Sequence, residues 1–250
     1  AYRDWLIRAF NENLGYDDFV RYQLAGDLFK DAGRDQLAAS GFNRLHLIID
    51  RGTALPEESF FKNVVDRVTA VGTAFMGMSV HCASCHDHKY DPLTQKDFYS
   101  LFAFFNNIAA TPETNGGPKN GLQSPTALLP TPEQEEDRRK INEELAGLAI
   151  EIREAQNASR AEKDPQKKKT IVDEGRKLIT LKKDLERKRG ALEAKMTRAM
   201  VMKERPTIRR TFLMKRGNYD DPGEEVARNP PAFLPPLRKK GKIASRMDLA

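Results

Sequence analysis

The sequence predicts a mainly α protein: a compact helical domain, a long antiparallel coiled-coil hairpin and an irregular, proline-rich C-terminal segment. Three observations carry this. Apolar residues recur at helical spacing through the first hundred or so positions. From Ile141 they alternate spacings of four and three, the mark of a coiled-coil seam. Prolines at 222, 230, 231, 235 and 236 then exclude regular helix.

Composition agrees. Apolar residues are 39% and charged residues 31% of the 250 positions, polar for a compact globule, so part of the chain is an elongated, solvent-washed element. Residues 1–132 carry 12 Lys and Arg against 15 Asp and Glu, whereas residues 133–250 carry 30 against 21. The change of character divides the chain into a helical domain (1–110), a linker (111–132), a helical hairpin (133–205) and the start of a further, truncated domain (206–250). A basic second half raises nucleic acid as a partner. Its Lys and Arg alternate with Asp and Glu at helical spacing, however, and aromatics for base stacking are absent from 133 to 211, so the reading is a solvated helix and no nucleic acid. No apolar run approaches the ~20 residues of a transmembrane helix.

In chain order, Tyr2, Trp5, Leu6, Ala9 and Phe10 form an apolar stripe on a helix over 1–13, closed by Asn13 and Gly15. A helix already under way at Ala1 reads as a piece of a longer chain, so a missing signal peptide is uninformative. Asp17 can cap a second helix over 18–30, with Phe19, Val20, Leu24 and Leu28 inward. A short third helix spans 35–40. Leu47-Ile48-Ile49 is too brief to classify and ends in a loop with Gly52. Pro56-Glu57-Glu58 opens a long helix, with proline in the first turn and acids at the positive dipole end. Thr94 to Asp97 resembles a capping box and starts a helix over 95–107 dense in Phe and Tyr, which would suit a porphyrin face or an ordinary core. In the hairpin, Ile141, Leu145, Leu148, Ile152 and Ala155 face Ile171, Leu178, Leu181, Leu185 and Leu192, with a break at Asp164-Pro165. Thr211–Met214 reads as a short strand and Arg216–Tyr219 as a turn.

The chemistry lies in His81-Cys82-Ala83-Ser84-Cys85-His86-Asp87-His88, which holds both cysteines and three of the four histidines. Cys82, Cys85 and His86 read C-x-x-C-H, the attachment signature of c-type haem: two thiols for thioethers and an imidazole for the iron. Two other readings stand beside it. One is a zinc or iron site, in a metal-dependent enzyme, built from Cys82, Cys85, His88 and His46. The other is a surface scaffold with a local disulfide. Met76 or Met78 could serve the iron instead, though methionines on an apolar helix face are more often packing. Arg67 reads as a surface ion pair with Asp66 or as a propionate contact, and Asp87, Tyr90 and Asp91 as loop-fixing groups or ligands of a hard cation.

These motifs resemble a family. Tyr2-Arg3-Asp4-Trp5, Gln23 to Leu28, Gly41-Phe42-Asn43-Arg44, Val65-Asp66-Arg67-Val68 and Cys82 through Pro92 to Asn106 are similar to the cytochrome-c-like (PSCyt-type) domain of unknown function of planctomycete surface or exported proteins. Lys215-Arg216-Gly217 and Asp221-Pro222-Gly223-Glu224 resemble the opening of its usual PSD-type partner domain. The resemblance implies an exported, periplasmic or cell-surface protein that passes electrons through haem c to a redox partner or to the rest of its own parent chain. It also makes His46 the first choice for the distal iron ligand. His88, only two residues past His86, can scarcely reach the opposite porphyrin face and reads as a hydrogen-bond donor around the metal or, without haem, as a metal ligand.

Overall fold

The computed structural model describes residues 1–46, 55–110 and 121–250. The expectations for Leu47-Ile48-Ile49, for Gly52 and for positions 111–120 of the linker lie outside these residues. The chain divides into two compact units, Ala1–Ala127 with Ala199–Ala250, and Leu128–Arg198. The fold is mainly helical, as the sequence predicts.

The first unit begins with α1 (Tyr2–Asn11), α2 (Tyr16–Ala25) and α3 (Arg34–Ser40). Trp5 and Ala9 supply the buried face of α1, and the indole stacks on Phe19 at 5.8 Å between centroids. The helix ends where Asn13 takes a left-handed φ of 52°, one of the few places a non-glycine residue tolerates it. Helix α4 (Pro56–Val71) starts on its proline with two acids in the first turn and runs into a π-helical turn, Gly72–Met76. A Cβ at position 72 would fall 2.5 Å from the methyls of Val80. Glycine there lets the next turn close against the helix end, and that turn carries Cys82.

Helix α5 (Gln95–Phe105) is the centre of the unit. The Thr94 hydroxyl accepts from the Asp97 N–H at 3.1 Å and the Asp97 carboxylate accepts from the Thr94 N–H at 2.9 Å, the reciprocal capping box that the sequence predicts. Every residue from Asp97 to Phe105 is buried, so beyond Lys96 this helix has no wet face. Its aromatics are core, packed between α4 and the strands that follow.

Those strands come from the far end of the chain. β3 (Thr211–Met214) pairs antiparallel with β4 (Pro222–Val226), Thr211 opposite Val226, and both pack on α5. The short strand over 211–214 is where the sequence puts it. The sequence sets residues 206–250 apart as the opening of another domain; the contacts place them in the same compact unit as α1–α5. The physical reason is a buried charge network. Arg246, in the terminal turn α8 (Arg246–Leu249), is fully enclosed. It donates to both Asp27 carboxylate oxygens at 2.9 and 2.7 Å, to the Leu24 carbonyl at 2.6 Å and to Glu204 at 3.1 Å. Burial works against this charge, but Asp27 and Glu204 outweigh it and hold the guanidinium above its ordinary value. Arg228 donates to the carbonyls of Ala103 and Ala244, each at 3.1 Å. Arg44 gathers the carbonyls of Gln123, Ser124, Pro125 and Val201.

The second unit is the hairpin of α6 (Pro132–Ala161) and α7 (Pro165–Ala194), each about 45 Å long. The chain enters and leaves it through β1 (Thr126–Leu129) and β2 (Thr197–Met200), which pair with each other. Asp164 accepts from the N–H groups of Gln166 and Lys167, so the break in the heptad pattern is a cap. Leu145, Leu148 and Leu185 are buried with Ile141 and Leu178 against them. Leu181, expected in the seam, is instead 49% exposed: a two-helix contact is narrow, and Leu178 and Leu185, two turns apart, already fill it.

Candidate functional site

The C-x-x-C-H stretch occupies a 3₁₀ turn, Val80–Ser84, with the Cys85 N–H returning to the Cys82 carbonyl at 3.5 Å. Positions i and i+3 eclipse in such a turn, which sets both thiols on one side. Cys82 and Cys85 are exposed and free. Two side chains fix the turn from below. The Tyr99 hydroxyl and the Gln95 amide both donate to the Ser84 carbonyl, at 2.9 and 3.1 Å, and the same Gln95 nitrogen also donates to the Met214 carbonyl at 3.0 Å. Burial, then the nearby Cys85 sulfur, pushes the Tyr99 phenol well above its usual range, so it remains a donor. From above, Gly217 lies so close to Cys85 that a Cβ on it would fall 2.6 Å from Sγ. Position 217 has a φ of 72°.

The histidines have distinct places. His86 is exposed, and its Nδ1 lies 2.8 Å from the Asp87 carbonyl. A carbonyl can only accept, so Nδ1 carries the proton and the Nε2 lone pair is left for a metal. In His88, Nδ1 accepts from the N–H groups of Tyr90 and Asp91 at 3.3 and 2.8 Å, and Asp91 Oδ2 lies 3.5 Å away. The proton of its neutral form is therefore on Nε2, and the ring staples its own loop. His46 is buried, with Nδ1 3.4 Å from a guanidinium nitrogen of Arg67, which can only donate. His81 is exposed with Nδ1 3.3 Å from the Thr69 hydroxyl. Arg67, expected on the surface with Asp66, is buried and donates to the Asn43 carbonyl at 2.7 Å, while Asp66 is exposed. Met76 and Met78 pack against the core. Asp87 accepts from the Gln95 N–H at 2.8 Å and Tyr90 faces solvent.

Among the described residues no three His, Cys, Asp or Glu side chains come together as a metal-holding group. The zinc or iron alternative needs Cys82, Cys85 and His88 to converge, and they do not, because His88 is turned into its loop by two backbone donors. Asp87 and Asp91, read as loop-fixing groups or ligands of a hard cation, likewise belong to no such group among the described residues. The proximal donors of a c-type haem, by contrast, fit: two free thiols and an imidazole with the correct nitrogen open. His46 is not presented as a partner to them, since its Nδ1 faces Arg67 and the neutral ring then carries its proton on Nε2. The apolar cleft lined by Phe60, Phe61, Phe102 and Phe212 is not lined by Cys82, Cys85 or His86.

Sequence reasoning missed Gln95, Tyr99 and Gly217 as parts of this site. Gln95 reads as part of the helix start and Tyr99 as one of the aromatics of a porphyrin face or a core, neither as a support of the Ser84 carbonyl; the only signal for Gly217 is its place in the Lys215-Arg216-Gly217 block. Among the described residues no helix is long and apolar enough to cross a membrane.

No curated protein and no solved structure matches the chain. Residues 1–110, less than half of the chain, match the family model described as PSCyt2, protein of unknown function (DUF1549), so this part is similar to a planctomycete-type domain whose role is undefined.

Proposed function

We propose that the chain is an exported c-type haem module, at the periplasmic or cell surface, that passes single electrons to a redox partner protein or to another part of its parent chain. The observation that carries this is the state of His86, exposed with Nδ1 committed to the Asp87 carbonyl, beside two free thiols on one turn. Haem attached there supplies the one-electron couple. The chain's own part is to hold the thiols in register through Ser84, to fix the His86 tautomer through Asp87, and to leave room for the Cys85 sulfur with a glycine at 217. His46 Nδ1 faces Arg67, so this reading leaves the distal ligand unassigned.

The test is expression of the 250-residue chain with a c-haem maturation system, followed by acid–acetone extraction and a pyridine haemochrome spectrum. Haem that stays with the protein, is lost in Cys82→Ala/Cys85→Ala and is retained in His46→Ala supports the reading. A colourless protein from a competent maturation strain overturns it.

A further inference from the structure

A second site lies away from the cysteine turn. Between the start of α4 and the β3–β4 hairpin is a cleft of about 270 Å³ with an aromatic floor: Phe60 and Phe61 from α4, Phe102 from α5, Phe212 and Met214 from β3. Phe61 and Phe102 stand 5.5 Å apart between centroids, tilted by 38°, in contact with each other, so together they offer ring faces and edges to a ligand laid against them. This is apolar surface that the fold leaves open beside its own core.

The cleft also contains a charge that the fold does not neutralise. Arg209 lines it, with its guanidinium 4.2 Å over the Phe60 ring; the exposed Glu57 also lines the cleft but makes no ion pair with Arg209. Its Nε is buried with no hydrogen-bond partner. Burial, then repulsion from Arg205, lowers its pKa, and among the described residues no carboxylate offsets this. The backbone there is fixed, because the Arg209 N–H donates to Asn107 Oδ1 at 3.0 Å. Its neighbour Arg210 shows the contrast: exposed, and held by two hydrogen bonds to Glu225. A half-buried guanidinium without a counter-ion is costly, and its natural partner is a planar carboxylate.

We infer that this cleft binds small aromatic carboxylates, with the ring on the Phe60, Phe61 and Phe102 floor and the carboxylate on Arg209. The reading is independent of haem. The volume sets the size, one or two fused rings rather than a porphyrin or a folded peptide. Arg209, which no carboxylate among the described residues pairs, sets the charge, with Glu57 left at solvent.

The test is calorimetric titration of the full chain with naphthoate and with its uncharged isostere naphthylmethanol. Saturable binding of naphthoate, weaker by about tenfold or more for naphthylmethanol, is expected. Arg209→Met should erase the difference between the two, and Arg210→Gln should leave it intact. Equal affinities for acid and alcohol on the unaltered chain, or no saturable binding of naphthoate, would overturn the assignment. That comparison needs no variant, so it decides the matter even where Arg209→Met unfolds.

Discussion

Gly217 sits directly on the sulfur of Cys85, at a backbone angle that favours glycine. Two independent penalties therefore meet in Gly217→Ala: a side chain in the left-handed region, and a methyl 2.6 Å from Sγ that forces one partner to move. The expected cost is roughly 1–3 kcal/mol in denaturant unfolding. Cys85 should then alkylate faster relative to Cys82 under iodoacetamide, read by mass spectrometry of the two labelled forms. An unchanged ratio together with unchanged stability would show that the backbone at 217 does not constrain the thiol.

Thr94 and Asp97 separate a cap from a hub. Thr94→Ala removes one capping acceptor and should cost about 1 kcal/mol. Asp97 is buried and serves more groups: the Thr94 N–H and hydroxyl, and also the Ala232 N–H at 2.9 Å from the proline-rich tail. Asp97→Ala strands a donor on each side and should cost roughly 2–3 kcal/mol. Urea unfolding of the two variants side by side checks the order; equal midpoints would mean that the tail contact contributes nothing.

The hairpin offers a paired test of the seam. Leu148 is buried and Leu181 is half exposed, although both follow the heptad rhythm. Leu148→Ala should cost about 2–3 kcal/mol and Leu181→Ala under about 1 kcal/mol. Loss of helical ellipticity on heating reports both. Similar shifts for the two would restore the symmetric seam that the heptads alone describe.

Acid should loosen exposed parts of both units. Glu136 is pulled below the ordinary 4.5 by its hydrogen bond from Arg139, and Glu225 by the one from Arg210. With folded values lower than unfolded ones, the unfolded chain takes up protons first as pH falls. The stabilisation is complete above about pH 4.5 and is lost as pH drops through the lowered folded values. Melting temperature followed from neutral to acid pH should therefore decline below that point, and less steeply at high salt, where exposed pairs are screened. Glu136→Gln and Glu225→Gln together should flatten the decline.

What the sequence reveals follows the range of the forces. The capping box at Thr94, the proline start of α4 and the Asp164-Pro165 break are local, set by residues within one turn, and they are legible as written. The C-x-x-C-H turn is local too. His88 and His46 look like ligands because a histidine's partners are invisible in a string; two backbone N–H groups claim one ring and Arg67 faces the other. The return of the tail is least legible. Gly217 on Cys85 and Arg246 on Asp27, the latter 219 positions apart, leave no periodic trace, and a run of prolines looks the same whether it starts a new domain or wraps an old one.

Arg246 decides between those two descriptions of the tail. It is fully enclosed and bound to Asp27 and Glu204, so Arg246→Met leaves two poorly compensated carboxylates in the interior of the first unit. The cost should be about 3–5 kcal/mol, and Asp27→Asn in the same chain should recover part of it by removing one stranded charge. The probe is built in. Trp5 is the sole tryptophan and lies buried in α1, far along the sequence from the substitution, so its fluorescence follows the helical domain alone. A tail that belongs to this unit gives one transition, and Arg246→Met moves the Trp5 midpoint. If the tail frays while the Trp5 transition stays where it was, residues 206–250 are separable after all, and the helical domain holds its core without them.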